Sequence, residues 1–142
     1  EPEQAYLMTD MMKTVVERGT GQSARLNGVQ VAGKTGTTNN NIDAWFCGFT
    51  PEVEVVVWYG NDDNTPMRKV EGGGRTAAPV FKKFMESYMK EYPLKQKTFI
   101  EPEGVFHTAY EGLIEVYTKI SPVPKQDAQD TLIKQDDEGL IF

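Results

Sequence analysis

Residues 28–41 constrain this chain more tightly than any other stretch. Val29-Gln30-Val31-Ala32 alternates at the period of a strand, runs straight into Gly33-Lys34-Thr35-Gly36-Thr37-Thr38, and stops at Asn39-Asn40-Asn41. Asparagine tolerates left-handed backbone and bonds its own main chain, so the triplet predicts a turn after a strand over residues 29–38. The same residues also satisfy the G-x-x-x-x-G-K-[ST] pattern of a phosphate loop, from Gly28 to Thr35. A phosphate loop follows a strand, wraps the phosphates and opens a helix whose N-terminus helps hold the anion. Here the residues between the glycines are themselves strand-like, and Gly-Thr-Thr-Asn-Asn-Asn breaks helices. Nucleotide binding is therefore the distant third reading.

The rest of the chain supplies an antiparallel architecture. Ala5, Met8, Met12 and Val15 recur at helical spacing, with Pro2 in a first turn that tolerates it and Gly19 as the stop. Residues 43–50 and 53–59 read as two further strands joined at Pro51-Glu52. Residues 60–76 form a long glycine-rich loop containing Gly72-Gly73-Gly74, and loops of this length are usually functional or mobile. Helical period returns over 77–92 with Val80, Phe81, Phe84, Met85, Tyr88 and Met89, and Pro93 closes it. Short strands are expected at 98–100 and 112–118. The fold class is α/β of the α+β type, an antiparallel sheet flanked by helices, unlike the strand-helix alternation of a doubly wound sheet. Trp45, Phe46, Trp58 and the 81/84/85/88 stripe read as core. Cys47, alternating with Trp45 and Phe49 along one strand face, is expected there too.

Composition sets outer limits. The 142 residues suffice for one core of ordinary size, and the net charge of −6 argues against nucleic acid or an anionic membrane surface as a partner. One cysteine excludes an internal disulfide and leaves the redox compartment open. No apolar run approaches transmembrane length. Residues 93–142 carry five lysines against nine carboxylates, and a loosely packed appendage is expected from about residue 122. The chain opens on Glu1 with a helical pattern at once, which reads as a cut inside a larger protein; an engineered boundary or a processed terminus would look the same.

Six ordered segments extend the match beyond Lys34-Thr35-Gly36. They are Ala5-Tyr6-Leu7-Met8-Thr9-Asp10-Met11, Val15 to Gly21, Val31 to Thr38, Asp43-Ala44-Trp45-Phe46 with Gly48-Phe49-Thr50-Pro51, Trp58 with Gly60, and Gly74-Arg75-Thr76-Ala77-Ala78-Pro79. Over about residues 3–92 the chain resembles class A penicillin-binding proteins. The resemblance implies part of a serine β-lactamase/transpeptidase-like domain over residues 1–92 and a C-terminal extension over 93–142. It implies a D,D-transpeptidase that cross-links peptidoglycan stem peptides through an acyl-serine and is acylated by β-lactams. It also implies an extracytoplasmic, periplasmic site in the bacterial cell envelope, with a membrane anchor and a glycosyltransferase domain upstream. No cofactor is implied.

That family places Ser-x-x-Lys, with the nucleophile, and Ser-x-Asn before Lys-Thr-Gly, and neither precedes Lys34 here. Ser87-Tyr88-Met89-Lys90 fits the first on spacing but follows Lys34 and falls near a helix C-terminus, where the helix dipole opposes developing negative charge. The expected partner is thus an upstream portion of the same protein carrying the serine. What this chain has is the grip. By resemblance Lys34 is catalytic and helps attract the donor's terminal carboxylate, and the backbone N–H of Thr37 is an oxyanion donor. Thr35, Gly36, Thr37 and Thr38 are substrate-binding, with Thr35 and Thr37 on one strand face and Gly36 allowing close backbone approach. A non-catalytic interaction module built on the same sheet edge is the alternative. Lone His107 lacks the partners of a metal site, and Asp62-Asp63-Asn64 reads as a turn.

Overall fold

Helix α1 (Pro2–Glu17) has proline where the missing N–H would have found no helical partner. It ends against Gly19, whose amide bonds the carbonyls of Thr14 and Val15. A Cβ there would sit 2.9 Å from the Cα of Val15, so the turn needs glycine. The computed structural model describes residues 1–124. The chain divides into two units, Glu1–Glu103 and a second beginning at Gly104.

The first unit holds a three-stranded antiparallel meander in the order β1 (Ala32–Thr37), β2 (Asp43–Phe49), β3 (Glu54–Gly60). The expected strand and turn over residues 28–41 are present, with β1 starting three residues late. Val29 makes only an isolated bridge to Leu26, and the Gln30 amide donates to the Lys97 carbonyl. Asn40 and Asn41 take the left-handed backbone their side chains tolerate, at φ 61° and 58°. Gly33, Lys34 and Thr35 lie inside a strand that turns into another strand, which removes the phosphate-loop geometry.

Helix α2 (Ala77–Glu91) covers one sheet face. Phe46 and Phe81 meet edge to face at 5.1 Å, and both are fully buried with Met85. Val16, Leu26 and Val31 close this core. Alternation then dictates the opposite face. Trp45 and Cys47 flank Phe46 in sequence and must point the other way, where Trp45 pairs across with Trp58 and Cys47 with Val56. Trp45 is 38% exposed, Trp58 43% and Val56 54%, and Cys47 is exposed as well. The expectation that Trp45, Trp58 and Cys47 are core is corrected by this geometry: adjacent strand residues cannot share a face. Phe84, also expected in the core, is 49% exposed and stacks on Tyr88 along the outer side of α2.

Residues 98–100 form no strand; the Phe99 amide is taken by the side-chain oxygen of Gln30, and its ring packs edge-on to Phe49. The second unit contains an antiparallel hairpin, β4 (Val105–Tyr110) and β5 (Leu113–Thr118). Its turn, Glu111-Gly112, has positive φ at both residues, the backbone that matches strand twist in two-residue hairpins. The acidic appendage expected from about residue 122 falls mainly on residues 125–142, outside the described residues.

Candidate active site

Strand β1 is an edge strand: β2 pairs with one side, and among the described residues no strand pairs with the other. Hydrogen-bond parity decides which groups face that open edge. The Thr38 amide donates to the Asp43 carbonyl opposite it, so Thr38 and Asp43 form a bonded pair. Antiparallel pairs alternate between bonded and non-bonded, which turns the amides of Gly36 and Lys34 toward β2. The amides and carbonyls of Thr35 and Thr37 therefore point outward. Lys34 confirms the direction, for its Nζ donates to the Thr35 carbonyl at 2.9 Å.

Side chains sort by the same alternation. Thr35 lies opposite Phe46 and Thr37 opposite Ala44, so both threonines share the helix-covered face. Lys34 lies opposite Cys47 and Gly36 opposite Trp45, on the exposed apolar face. The strand thus presents a lysine on one face, two hydroxyls on the other, and two outward amides between. A Cβ on Gly36 would lie 3.3 Å from the Cβ of Trp45, so glycine here also relieves crowding against that ring.

Thr35 and Thr37 line a cleft of about 750 Å³. Its other walls are the turn after α1, at Thr20 and Gln22, and the loop from Lys69 to Arg75. The Thr20 and Thr35 hydroxyls are 2.7 Å apart, and the Gly73 amide donates to Thr37 Oγ1 at 3.3 Å. The loop is fitted to this strand by glycine. A Cβ on Gly73 would overlap the Trp45 carbonyl oxygen and lie 2.8 Å from that of Gly36, and one on Gly74 would overlap the Thr20 carbonyl oxygen. At its other end, the Met67 amide and the Arg68 carbonyl bond Asn41. The long loop is thus strapped across the strand, which sequence reasoning left undecided between function and mobility.

Among the described residues, the charged ones of the cleft wall are Lys69 and Arg75, with no carboxylate beside them. In a chain of net charge −6 that is a local inversion suited to an anion. A second hollow of about 350 Å³, at the approach to β1, is lined by Arg25, Leu26, Val31 and Lys97 among others and includes no residue of the Lys-Thr-Gly run.

Of the residues singled out by sequence, Lys34, Thr35, Gly36 and Thr37 converge on the edge. Thr38 does not. Its hydroxyl accepts from the Asp43 amide at 2.8 Å and donates to the Asp43 carboxylate, which in turn accepts from the Trp58 indole. Thr20 and Gly73 were missed because their partners are 15 and 36 residues away. Ser87 is exposed and sits in the last turns of α2. Among the described residues no group of three or more His, Cys, Asp or Glu side chains is placed to hold a metal ion, and no helix is long and apolar enough to cross a membrane.

The chain is similar to known proteins. The penicillin-binding protein transpeptidase domain matches residues 1–86. Penicillin-binding protein 1A of Neisseria gonorrhoeae is 37% identical over 99% of this chain and 18% of its own length. The Pseudomonas aeruginosa protein of the same name is 39% identical over 71% of this chain and 12% of its own length. The crystal structure of penicillin-binding protein 1A from Haemophilus influenzae superposes with a TM-score of 0.66, at 22% identity, over 87% of this chain and 21% of that one. The chain spans less than a fifth of the length of these two sequence relatives. On the family match and the Neisseria alignment together, this chain belongs to the transpeptidase domain family of the penicillin-binding proteins, with class A proteins as its relatives.

Proposed function

We propose that this chain is the Lys-Thr-Gly-bearing part of a peptidoglycan D,D-transpeptidase, and that its serine nucleophile lies on an upstream portion of the same protein. The observation that carries the reading is the open edge of β1, with Thr35 and Thr37 amides outward and Lys34 at the same edge.

Acyl transfer needs a nucleophile, a base, an oxyanion hole and a grip on the substrate. The edge supplies the last two. A substrate backbone laid along β1 meets the outward amides and carbonyls of Thr35 and Thr37 as an added strand would. The Thr37 amide donates to the oxygen on which negative charge develops when the serine attacks the scissile carbonyl. A donor of this kind is typically worth about 3 kcal/mol in the transition state. The two hydroxyls and the cationic cleft take the terminal carboxylate of the donor peptide, or the carboxylate of a β-lactam.

Lys34 faces the exposed sheet surface with Cys47 and Trp45. That surface supports an upstream partner: Trp45, Val56 and Trp58 form a contiguous apolar patch of the sort that marks a contact surface. A segment carrying the serine and its base, seated there, would bring the nucleophile beside Lys34. The whole protein then acts on the periplasmic face of the cytoplasmic membrane, held by an upstream anchor and joined to a glycosyltransferase domain, and this chain alone is inactive.

The test is Lys34→Ala in the intact protein. Loss of a fixed charge at the reacting centre should slow acylation by a β-lactam by roughly a hundredfold or more. The fold should persist, because an exposed lysine of this kind contributes about 1 kcal/mol or less. An unchanged acylation rate would reduce Lys34 to a solvated strand residue and favour an interaction module without catalysis.

A further inference from the structure

We propose that Thr20, in the turn after α1, is a positioning residue for the carboxylate grip, acting through the hydroxyl of Thr35. The inference deepens the proposed function and rests on it. The two hydroxyls are 2.7 Å apart, a full-strength O–H···O bond in which either oxygen can donate. A carboxylate entering the cleft settles the direction. Ionised carboxylates only accept, so the single hydroxyl hydrogen of Thr35 must go to the anion, and Thr20 must then donate to the Thr35 oxygen. Thr37 is arranged alike, with the Gly73 amide donating to its oxygen and leaving its hydrogen to point at the ligand. Each grip hydroxyl is thereby polarised from behind by one donor, and donors in series strengthen one another.

The Thr20 hydroxyl is not needed to hold its own turn. The amides of Gly19 and Gly21 both bond the carbonyl of Val15, and the Gln22 side chain bonds the carbonyl of Gly19. It is the Thr20 carbonyl, present in every residue, that packs against Gly74. Backbone fixes the turn, and the side chain is free to serve the cleft.

The experiment compares, in the intact protein, second-order acylation rates for a β-lactam with a free carboxylate and for its methyl ester. Thr20→Val keeps the shape and removes the donor. It should slow the carboxylate compound about threefold to tenfold, the range of one hydrogen bond, and leave the ester rate unchanged. Thr20→Ser should restore the wild-type ratio, and Thr20→Val added to Thr35→Val should cost nothing further. Equal loss on both compounds, or no loss on either, would overturn the proposal while leaving the Lys-Thr-Gly reading in place. If Thr35→Val itself failed to separate acid from ester, the carboxylate grip would fall and this role with it. Should Thr20→Val not fold, Thr20→Ala carries the same comparison.

Discussion

Replacing Gly73 by alanine tests whether the loop strapped across β1 is part of the active site. The added methyl would overlap the Trp45 carbonyl oxygen and lie 2.8 Å from the Gly36 carbonyl and 3.2 Å from the Gly36 amide. These are backbone atoms of two paired strands, so no rotamer change makes room. Two responses are open. If the loop stays, the overpacking costs typically about 1–3 kcal/mol. If it lifts, it forfeits the Gly73 bond to Thr37 and the bond from the Ala78 amide to the Gly73 carbonyl, each worth about 0.5–1.5 kcal/mol. Either route comes to about 2 kcal/mol, enough to shift the seated population roughly thirtyfold. In the second, Thr37 also loses the donor behind its hydroxyl. Gly28→Ala is the control, since φ there is +71° and nothing lies within 4 Å of the new methyl. It strains the backbone by about 1 kcal/mol without reaching the cleft. Acylation rates and thermal melts of the intact protein, wild type and both variants, form the assay. Gly73→Ala should slow acylation at least severalfold, whereas Gly28→Ala should move only the melt. A wild-type rate in Gly73→Ala would show that the loop is a bystander.

Phe46→Ala should be the most damaging single truncation in the sheet, by about 3–5 kcal/mol, because the ring is fully buried against Phe81; a denaturant midpoint no lower than that of Trp58→Ala would refute this ranking of the two faces. The Asp63 carboxyl is held below the ordinary aspartate range by the hydroxyl and then the amide of Thr65. The stability from those bonds is present above the unfolded pKa and lost as pH falls through the lowered folded value. Carbon-13 titration should show Asp63 titrating low and Thr65→Ala moving it partway back up; no difference between the two proteins would remove the hydroxyl as the cause.

How far the sequence predicted this outcome follows from what each signal encodes. Period and breakers are local, so both helices, the meander and the left-handed Asn40 and Asn41 were legible. The common face of Thr35 and Thr37 follows from alternation alone. Alternation also forbids Trp45 and Cys47 from sharing the face of Phe46, so placing all three in one core went against it; what alternation cannot say is which of the two faces the helix covers. Strand β4 left a usable signal in the Glu111-Gly112 turn between two apolar runs, yet its own His107 and Thr108 blur the pattern. The diversion of Thr38 to Asp43 spans only five residues and is set by the turn between them, whereas the contacts of Thr20 and Gly73 with the strand join residues 15 and 36 positions apart, which no short window contains.

If this chain grips the substrate and another segment attacks it, the acylated serine lies elsewhere in the protein. Peptide mapping of the intact protein after reaction with a β-lactam tests that most directly. One acyl-serine adduct is expected, on a peptide outside residues 1–142, with labelling unaffected by Ser87→Ala. An adduct on Ser87, lost in Ser87→Ala, would contradict it.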